Sequence, residues 1–433
     1  MSYLAIQKIE PFSARLSAPP SKYHTHRAFI LASLAEGEST ITGTSESLDN
    51  MATVRCLTKL GTQFHKTSDG YIVRGGAYRT PDDVLDVGNS GSTIHFLLAL
   101  ASTVPGAVVF TGDASIRARP QQPYLDALNR WGIEAWSTRG NGCPPIVVRH
   151  RDARTLSTCV EVDGLISPWT TGLILLAPFT EHDVTVRVTG KVQESSYVAM
   201  TIEMLKSFNI HVQASADRAM YFVSGGQRYR PASVHIPGDI ALASFGLALA
   251  ALSGSHIVYE NLDLSCVHPE AAIVPALQRM GADVRIDARA RTLEIVGGRR
   301  LQGIEVDCGD APDMVPILSV LLALAKGRSR IYNAAQLRYK ECDRLAAMTQ
   351  LNKMGARVTE TADGLEFEGV ESLHGAVIDS FNDHRVQMSF TVAGCIATGT
   401  TYVSGAEAAG VSYPGFVRDL KNLGARIEIV ERV

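Results

Sequence analysis

The sequence has few of the features that mark secreted, membrane-spanning or nucleic-acid-binding proteins. Its seven cysteines are odd in number and no two have C-x-x-C spacing, so a disulfide framework or zinc knuckle is disfavoured and a cytoplasmic setting is expected. A net charge of −3 provides no basic field for a nucleic-acid polymer. The start shows no signal pattern, and the longest apolar runs, 240–253 and 315–325, are too short to span a bilayer and predict buried helices.

The composition is that of a globular protein large enough for more than one domain. Hydrophobic residues make up 45% and charged residues 20% of the 433 positions, which excludes a disordered chain or a fibre. At roughly 150 residues per domain, the length favours two or three domains.

One pattern recurs along the whole chain. A leucine is followed four residues later by Gly or Asn and then by a β-branched or aromatic residue. The six copies are Leu57/Gly61, Leu128/Gly132, Leu205/Asn209, Leu277/Gly281, Leu351/Gly355 and Leu420/Gly424. Gly and Asn readily adopt the left-handed conformation that ends a helix. The pattern therefore predicts six mixed α/β units, and two groups of three would form two lobes with a ligand cleft between them.

Polar clusters precede several of the apolar helical runs. They supply possible cations and two possible acid/base groups: Lys22, Arg27, Arg119, Lys340, Arg344 and Arg385, with Asp313 and Glu341. Each cluster alone also fits a helix cap or a solvated charge pair, and residues 338–345 alone fit a salt-bridged surface helix with Lys340 and Arg344 as an i,i+4 pair. Together they indicate a site for a small polyanionic substrate that carries phosphate or carboxylate groups.

These clusters match known motifs from about residue 9 to residue 430. The matches are P-S-K…R at 20–27, G-N-S-G at 88–91, R-P at 119–120, P-D at 312–313, K-E-x-D-R at 340–344, N-D-H-R at 382–385 and S-Y-P-x-F at 412–416. In these motifs the chain resembles the enolpyruvyl transferase family, in particular its 5-enolpyruvylshikimate-3-phosphate (EPSP) synthase branch.

The resemblance implies a fold and a division of labour. The fold is a two-lobed inside-out α/β barrel of six βαβαββ-type repeats, three in each lobe. Residues 1–19 and 238–433 would form the C-terminal lobe, with the phosphoenolpyruvate and acid/base residues. Residues 20–237 would form the N-terminal, acceptor-binding lobe. A monomer acting on small-molecule substrates, with no cofactor, metal or membrane partner, is expected.

The implied reaction transfers the carboxyvinyl group of phosphoenolpyruvate to an acceptor hydroxyl and releases phosphate. Its acid/base residues would be Lys22, Asp313 and Glu341. Phosphoenolpyruvate would be bound by Lys22, Gly91, Arg119, Arg344 and Arg385. The acceptor would be bound by Ser21, Tyr23, Arg27, Ser167, Trp169, Gln336 and Lys340.

Departures from the family pattern concentrate on the acceptor side. The departures are Tyr23, Pro168, Trp169, Glu194, Gln336 and His95, with Val411 in place of a lysine on the phosphoenolpyruvate side. A glutamate in a phosphate subsite would repel the ligand. Tyr23 and Trp169 either stack on a planar acceptor or only pack the cleft.

These departures lead us to expect an acceptor other than 3-phosphoshikimate, with a nucleotide such as UMP as one candidate. The alternatives are an ordinary 3-phosphoshikimate 1-carboxyvinyltransferase and a catalytically weak relative with a binding role.

Overall fold

The computed structural model describes residues 2–431. Its strands all belong to four-stranded sheets. In chain order they are β1 Tyr3–Ile6, β2 Ser13–Ser17, β3 Gly37–Thr42, β4 Gln63–Lys66, β5 Gly70–Gly75, β6 Leu85–Asp86, β7 Ala107–Thr111, β8 Ala135–Ser137, β9 Ile146–Arg149, β10 Cys159–Asp163, β11 Val184–Thr189, β12 Val212–Ala214, β13 Met220–Val223, β14 Ser233–His235, β15 His256–Glu260, β16 Asp283–Asp287, β17 Thr292–Val296, β18 Glu305–Asp307, β19 Arg328–Tyr332, β20 Arg357–Thr361, β21 Gly364–Glu368, β22 Val377–Ile378, β23 Thr401–Ser404 and β24 Ile427–Val430.

The α-helices alternate with these strands. They are α1 Lys22–Leu34, α2 Leu48–Lys59, α3 Gly91–Leu100, α4 Gln122–Trp131, α5 Ser167–Leu176, α6 Ser195–Ser207, α7 Ile240–Ser253, α8 Ile273–Arg279, α9 Val315–Ala323, α10 Arg344–Met348, α11 His384–Ile396 and α12 Phe416–Asn422. Among residues 2–431, none of the helices has the length and apolar composition needed to cross a membrane.

The chain divides into two compact units, each with its own hydrophobic core. Unit 1 comprises Met1–Pro19 and Pro237–Val433, and unit 2 comprises Pro20–Ile236. Strands β1 and β2 belong to unit 1 because β1 pairs with β23 and β24, and β2 pairs with β15. The segment before residue 20 is therefore tied by backbone hydrogen bonds to strands more than 200 residues away.

All six sheets have the same topology. Each contains one parallel pair, and the second strand of that pair is followed across the sheet by two antiparallel strands. The parallel pairs are β14 with β3, β6 with β7 and β10 with β11 in unit 2, and β2 with β15, β18 with β19 and β22 with β23 in unit 1. The predicted six-fold repeat is thus confirmed as three sheets in each unit.

The six predicted helix-ending residues behave alike. All have positive φ: Gly61 (108°), Gly132 (108°), Asn209 (64°), Gly281 (86°), Gly355 (90°) and Gly424 (97°). Most residues with a Cβ atom are strained in this conformation, whereas glycine lacks that atom and asparagine tolerates the strain better, which explains why Gly or Asn stands at every copy.

Helices form the interior of each unit and sheets form its outside. In unit 1, α7, α9 and α11 pack against one another. Helix α7 is buried at every position from Ile240 to Ala251, as expected for the apolar run 240–253. The strands alternate between buried and exposed residues, as in β10, so each sheet covers the helices with one face.

Gly281→Ala should lower the free energy of unfolding by about 1–2 kcal/mol, because alanine is strained at a φ of 86°. No atom contacts the added Cβ, so the loss reflects backbone strain and not a steric clash. Urea denaturation measures the change. Gln278→Ala, an exposed change in the same turn, is the control and should be nearly neutral. Equal stability of the two variants would show that the left-handed helix end imposes no constraint.

Candidate active site

A buried arginine lies at the centre of the charged cluster of unit 1. Arg344 begins α10, and its side chain is 1% exposed. Its Nε lies 2.7 Å from Oδ2 of Asp383, its Nη1 2.5 Å from Oδ1 of Asp313, and its Nη2 2.5 Å from Oε2 of Glu341. Burial alone would lower the pKa of Arg344, but the three carboxylates, Asp383 foremost, hold that pKa well above its usual value. The guanidinium is therefore a permanent cation in this cluster.

Asp383 fixes this arginine and a helix start at the same time. Its Oδ1 accepts hydrogen bonds from the backbone N–H groups of Arg385 (2.8 Å) and Val386 (3.2 Å), so it caps α11. Its Oδ2 accepts the bond from Arg344, and the side chain is fully buried. The sequence analysis did not select Asp383. An aspartate directly before an apolar helix was the available signal, but it indicated only a cap.

Asp313 and Glu341 are the members of this cluster that reach solvent. Both side chains are 12% exposed, against 1% for Arg344 and Arg385. Asp313 lies in a 3₁₀ turn before α9, where no side-chain bond caps the helix, so the cap alternative for Asp313 is wrong. Its Oδ2 lies 3.3 Å from Nε of Arg385. The two accessible carboxylates are thus oriented by two buried cations and can exchange protons with a bound molecule.

The structure corrects the expectation of one continuous helix through residues 338–345. A 3₁₀ helix ends at Tyr339, and α10 begins only at Arg344, with Asp343 as its N-cap. Glu341 therefore lies in a loop before α10. The conformation of this loop, and not the spacing of residues along a helix, brings its carboxylate to Arg344. The expected i,i+4 pairs do not form.

The two predicted acceptor residues of unit 1 have different environments. Gln336 is buried, and its Nε2 lies 3.3 Å from the carbonyl oxygens of Cys308 and Gly309, so it braces the loop that leads to Asp313. Lys340 is half-buried in the loop beside Glu341.

In unit 2, Lys22 is placed at the first residue of α1. Ser21 is the N-cap, and its hydroxyl accepts a hydrogen bond from His24 N–H at 3.4 Å. Lys22 Nζ lies 3.1 Å from Oδ2 of Asp49, and both side chains are buried. Asn50 donates its Nδ2–H to the carbonyl of Lys22 at 3.1 Å. Asp49 thus orients the lysine. It was not predicted from the sequence, because it lies 27 residues from Lys22 and no spacing pattern marks it.

Gly91 and Arg119 meet at the N-terminus of α3. A Cβ atom on Gly91 would lie 3.0 Å from Nη1 of Arg119, so glycine permits this approach. Nη2 of Arg119 donates to Oδ1 of Asn89 at 3.2 Å and to Oγ of Ser115 at 3.1 Å. The free N–H groups of a helix start beside a guanidinium form a suitable site for phosphate or carboxylate. The structure therefore brings the motif 88–91 and Arg119 together.

The two aromatic side chains on the predicted acceptor side pack inside unit 2. Trp169 is 1% exposed, stacks on Tyr124 at a centroid distance of 6.0 Å, and donates its Nε1–H to Oε1 of Gln121 at 3.1 Å. Tyr23 is also buried, with its ring 5.1 Å from that of Tyr197. These contacts favour the packing alternative for both rings, since Trp169 is buried against Tyr124 and its N–H is already bonded.

The remaining predicted acceptor residues of unit 2 are also buried. Arg27 donates through its three nitrogens to the hydroxyl of Thr201 and to the carbonyls of Tyr23 and Tyr197, and burial lowers its pKa to about 10. These bonds favour a structural role for Arg27. Ser167 begins α5 and donates its Oγ–H to Oε2 of Glu194 at 3.2 Å.

Over residues 6–420 the sequence matches the family described as EPSP synthase (3-phosphoshikimate 1-carboxyvinyltransferase). The chain belongs to the EPSP synthase family. It is therefore an enolpyruvyl transferase, which confirms the resemblance and the enzyme class predicted from the motifs. Substrates of this family are small molecules.

Individual family members are similar over the whole length. The 3-phosphoshikimate 1-carboxyvinyltransferase of Methanococcus maripaludis (strain C6) is 38% identical over 432 residues, which is 99% of this chain and 100% of the relative. EPSP synthase from Acinetobacter baumannii matches in structure with a TM-score of 0.81 and 26% identity, covering 100% of both chains. The enolpyruvyl transferase NikO from Streptomyces tendae matches with a TM-score of 0.80 and 18% identity over 100% of this chain and 99% of the other, which shows the fold alone.

These comparisons confirm the predicted two-lobed fold of the EPSP synthase family. They do not support the prediction of a changed acceptor. The relative that covers the whole chain at 38% identity is named for 3-phosphoshikimate, and it favours the alternative given in the sequence analysis.

Asp383→Asn should keep the cap of α11 but remove the charge that faces Arg344. We expect the free energy of unfolding to fall by about 2 kcal/mol, because a buried charge-assisted hydrogen bond is lost, and activity to fall with it. Urea denaturation and phosphate release measure the two effects. The stability control is Asp343→Asn, which caps α10 with a more exposed carboxylate. If both changes cost the same stability, Asp383 is not the anchor of the cluster.

His26 should make unit 2 sensitive to mild acid. Burial, with the charges of Lys22 and Arg27, lowers its pKa well below 6.5, so the unfolded chain binds a proton before the folded chain does. Its contribution to stability is therefore complete above about pH 6.5 and is lost as the pH falls toward the folded-state pKa. Urea unfolding at pH 7.5 and pH 5 should show a smaller difference for His26→Gln than for the wild type. An identical difference would contradict this assignment.

Proposed function

We propose that this enzyme transfers the carboxyvinyl group of phosphoenolpyruvate to a hydroxyl of 3-phosphoshikimate and releases inorganic phosphate, a step in aromatic amino acid biosynthesis. The observation that supports this acceptor is the whole-length similarity to a relative that is named for it. The observation that supports the chemistry in this chain is the Arg344 cluster, in which two accessible carboxylates are held by two buried cations.

In the first step, the acceptor oxygen bonds to C2 of phosphoenolpyruvate, the hydroxyl proton leaves, and C3 gains a proton. In the second step, the bond from C2 to the phosphate oxygen breaks and C3 loses a proton, so the carboxyvinyl group is restored on the acceptor. Each step needs a group that accepts or supplies a proton beside the reacting atoms. Asp313 and Glu341 have that role, since they are the solvent-accessible carboxylates of the cluster.

The cations have a separate role. Arg344 and Arg385 stay charged beside Asp313, and they would bind the carboxylate or phosphate of phosphoenolpyruvate. In unit 2, Lys22 and Arg119 would bind anionic groups of a substrate, together with the N–H of Gly91. As negative charge moves to the leaving phosphate, fixed cations stabilise the transition state more than the ground state.

Phosphate release from phosphoenolpyruvate with 3-phosphoshikimate tests this proposal. We expect turnover by the wild type, and a loss of about 10²–10⁴-fold in kcat for Asp313→Ala, the usual range for removing a general acid or base. The matched control is Asp283→Ala, which removes a carboxylate from ion pairs on β16 and should leave kcat unchanged.

Two outcomes would contradict the proposal. Turnover with UMP but not with 3-phosphoshikimate would support the prediction of an acceptor other than 3-phosphoshikimate. Absence of phosphate release with every acceptor, with Asp313→Ala indistinguishable from the wild type in ligand binding, would favour a binding role.

A further inference from the structure

An aspartate and a histidine outside the family motifs contact each other beside the cluster of unit 1. Asp239 caps α7, and its Oδ1 accepts the backbone N–H groups of Ala241 (2.9 Å) and Leu242 (3.2 Å). The same oxygen lies 3.3 Å from Nε2 of His268, and both side chains are buried. His268 therefore lies against the start of one of the three central helices of unit 1.

A buried glutamate joins this pair to Asp313. Glu270 is 0% exposed in a 3₁₀ helix, Pro269–Ala272. Its backbone N–H donates to Nδ1 of His268 at 3.3 Å. Its Oε1 accepts the backbone N–H of Asp313 at 3.2 Å. The side chain of Glu270 thus holds the turn from which the Asp313 carboxylate projects.

Arg385 is the last member of this chain of contacts. Its Nε lies 3.3 Å from Oδ2 of Asp313, and its Nη1 donates to the carbonyl oxygen of Asp313 at 3.4 Å. The chain of contacts runs from Asp239 through His268 and Glu270 to Asp313 and Arg385.

We propose that Glu270 and His268 are positioning residues for the transfer reaction, because they set the orientation of the Asp313 carboxylate and the Arg385 guanidinium. This inference rests on the proposed function, in which Asp313 moves a proton and Arg385 binds phosphoenolpyruvate.

The hydrogen bonds also indicate which nitrogen of the His268 imidazole accepts and which donates in this chain of contacts. Nδ1 accepts the N–H of Glu270, so Nε2, which faces Asp239, is the nitrogen that can donate. An amide side chain has the same two functions, since its nitrogen donates and its oxygen accepts. Glutamine is therefore the conservative replacement for His268, and phenylalanine is the disruptive one.

The cost of this arrangement supports a role beyond packing. Asp239, Glu270 and Asp313 place three carboxylates in one network, two of them fully buried, and buried like charges oppose folding. An apolar side chain in place of Glu270 would avoid that cost, but it would leave the N–H of Asp313 without this acceptor. The buried carboxylate acts on the position of Asp313, since its Oε1 bonds the backbone of that residue.

Steady-state phosphate release with phosphoenolpyruvate and 3-phosphoshikimate tests the proposal. Glu270→Ala should lower kcat by about 10²-fold while both KM values change by less than about threefold, because a displaced proton-transfer group slows the chemical step. Glu270→Gln, which keeps an acceptor oxygen, should recover most of kcat. His268→Gln should likewise retain kcat, and His268→Phe should lose it.

The matched control is Asn352→Ala. The side chain of Asn352 also holds a backbone segment, since it bonds both the N–H (2.7 Å) and the carbonyl (2.8 Å) of Val358. Asn352 lies outside the chain of contacts that includes Glu270. This variant should lower the melting temperature and leave kcat unchanged. Wild-type kcat in Glu270→Ala, or equal loss in the alanine and glutamine variants, would overturn the proposal.

Backbone amide hydrogen exchange provides a readout that needs no turnover. In Glu270→Ala the amide of Asp313 should exchange at least tenfold faster than in the wild type or in Asn352→Ala. Unchanged exchange would overturn the positioning role. Absence of wild-type phosphate release would contradict the proposed function alone, because the exchange experiment would still decide whether Glu270 holds Asp313.

Discussion

The buried guanidinium of Arg344 is the constraint on which the cluster of unit 1 depends. A cation that is 1% exposed is tolerated only with close anionic partners, and three carboxylates surround it. Asp383 is fully buried and also caps α11, so the cation and a central helix share one anchor. Asp313 and Glu341 also bond the guanidinium and remain partly accessible. The same buried cation therefore fixes both a rigid anchor and two groups suited to proton transfer.

The repeated unit explains why charged residues gather at a few points of the fold. Helices α1, α3 and α11 begin at Lys22, Gly91 and His384, and each is capped by a side chain directly before it. A helix start presents free N–H groups and the positive end of the dipole, so each one favours an anion. Because the same topology recurs three times in each unit, the fold supplies several such starts and the sequence adds cations to some of them.

Burial favours one of the two alternatives for the aromatic residues on the acceptor side. The aromatic character of Trp169 suits either stacking on a ligand or packing in a core, and the sequence is equally consistent with both. In the structure the indole packs on Tyr124, and its N–H is bonded to Gln121. The substitution is thus accommodated inside unit 2 and provides no argument for a planar acceptor. Glu194, beside Ser167, is likewise a partner of a neighbouring side chain.

The amino-acid sequence by itself determined the six-fold repeat, because each helix end needs a residue that tolerates positive φ, and it determined the family through motifs such as 340–344 and 382–385. Only the tertiary structure decided which charges meet. Asp383 is 39 residues from Arg344, and Glu270 is 43 residues from Asp313. Local periodicity carries no information about such contacts, since they depend on how separate helices and turns pack. Which groups a buried carboxylate contacts depends on the folded unit. A sequence pattern shows only that the carboxylate is present.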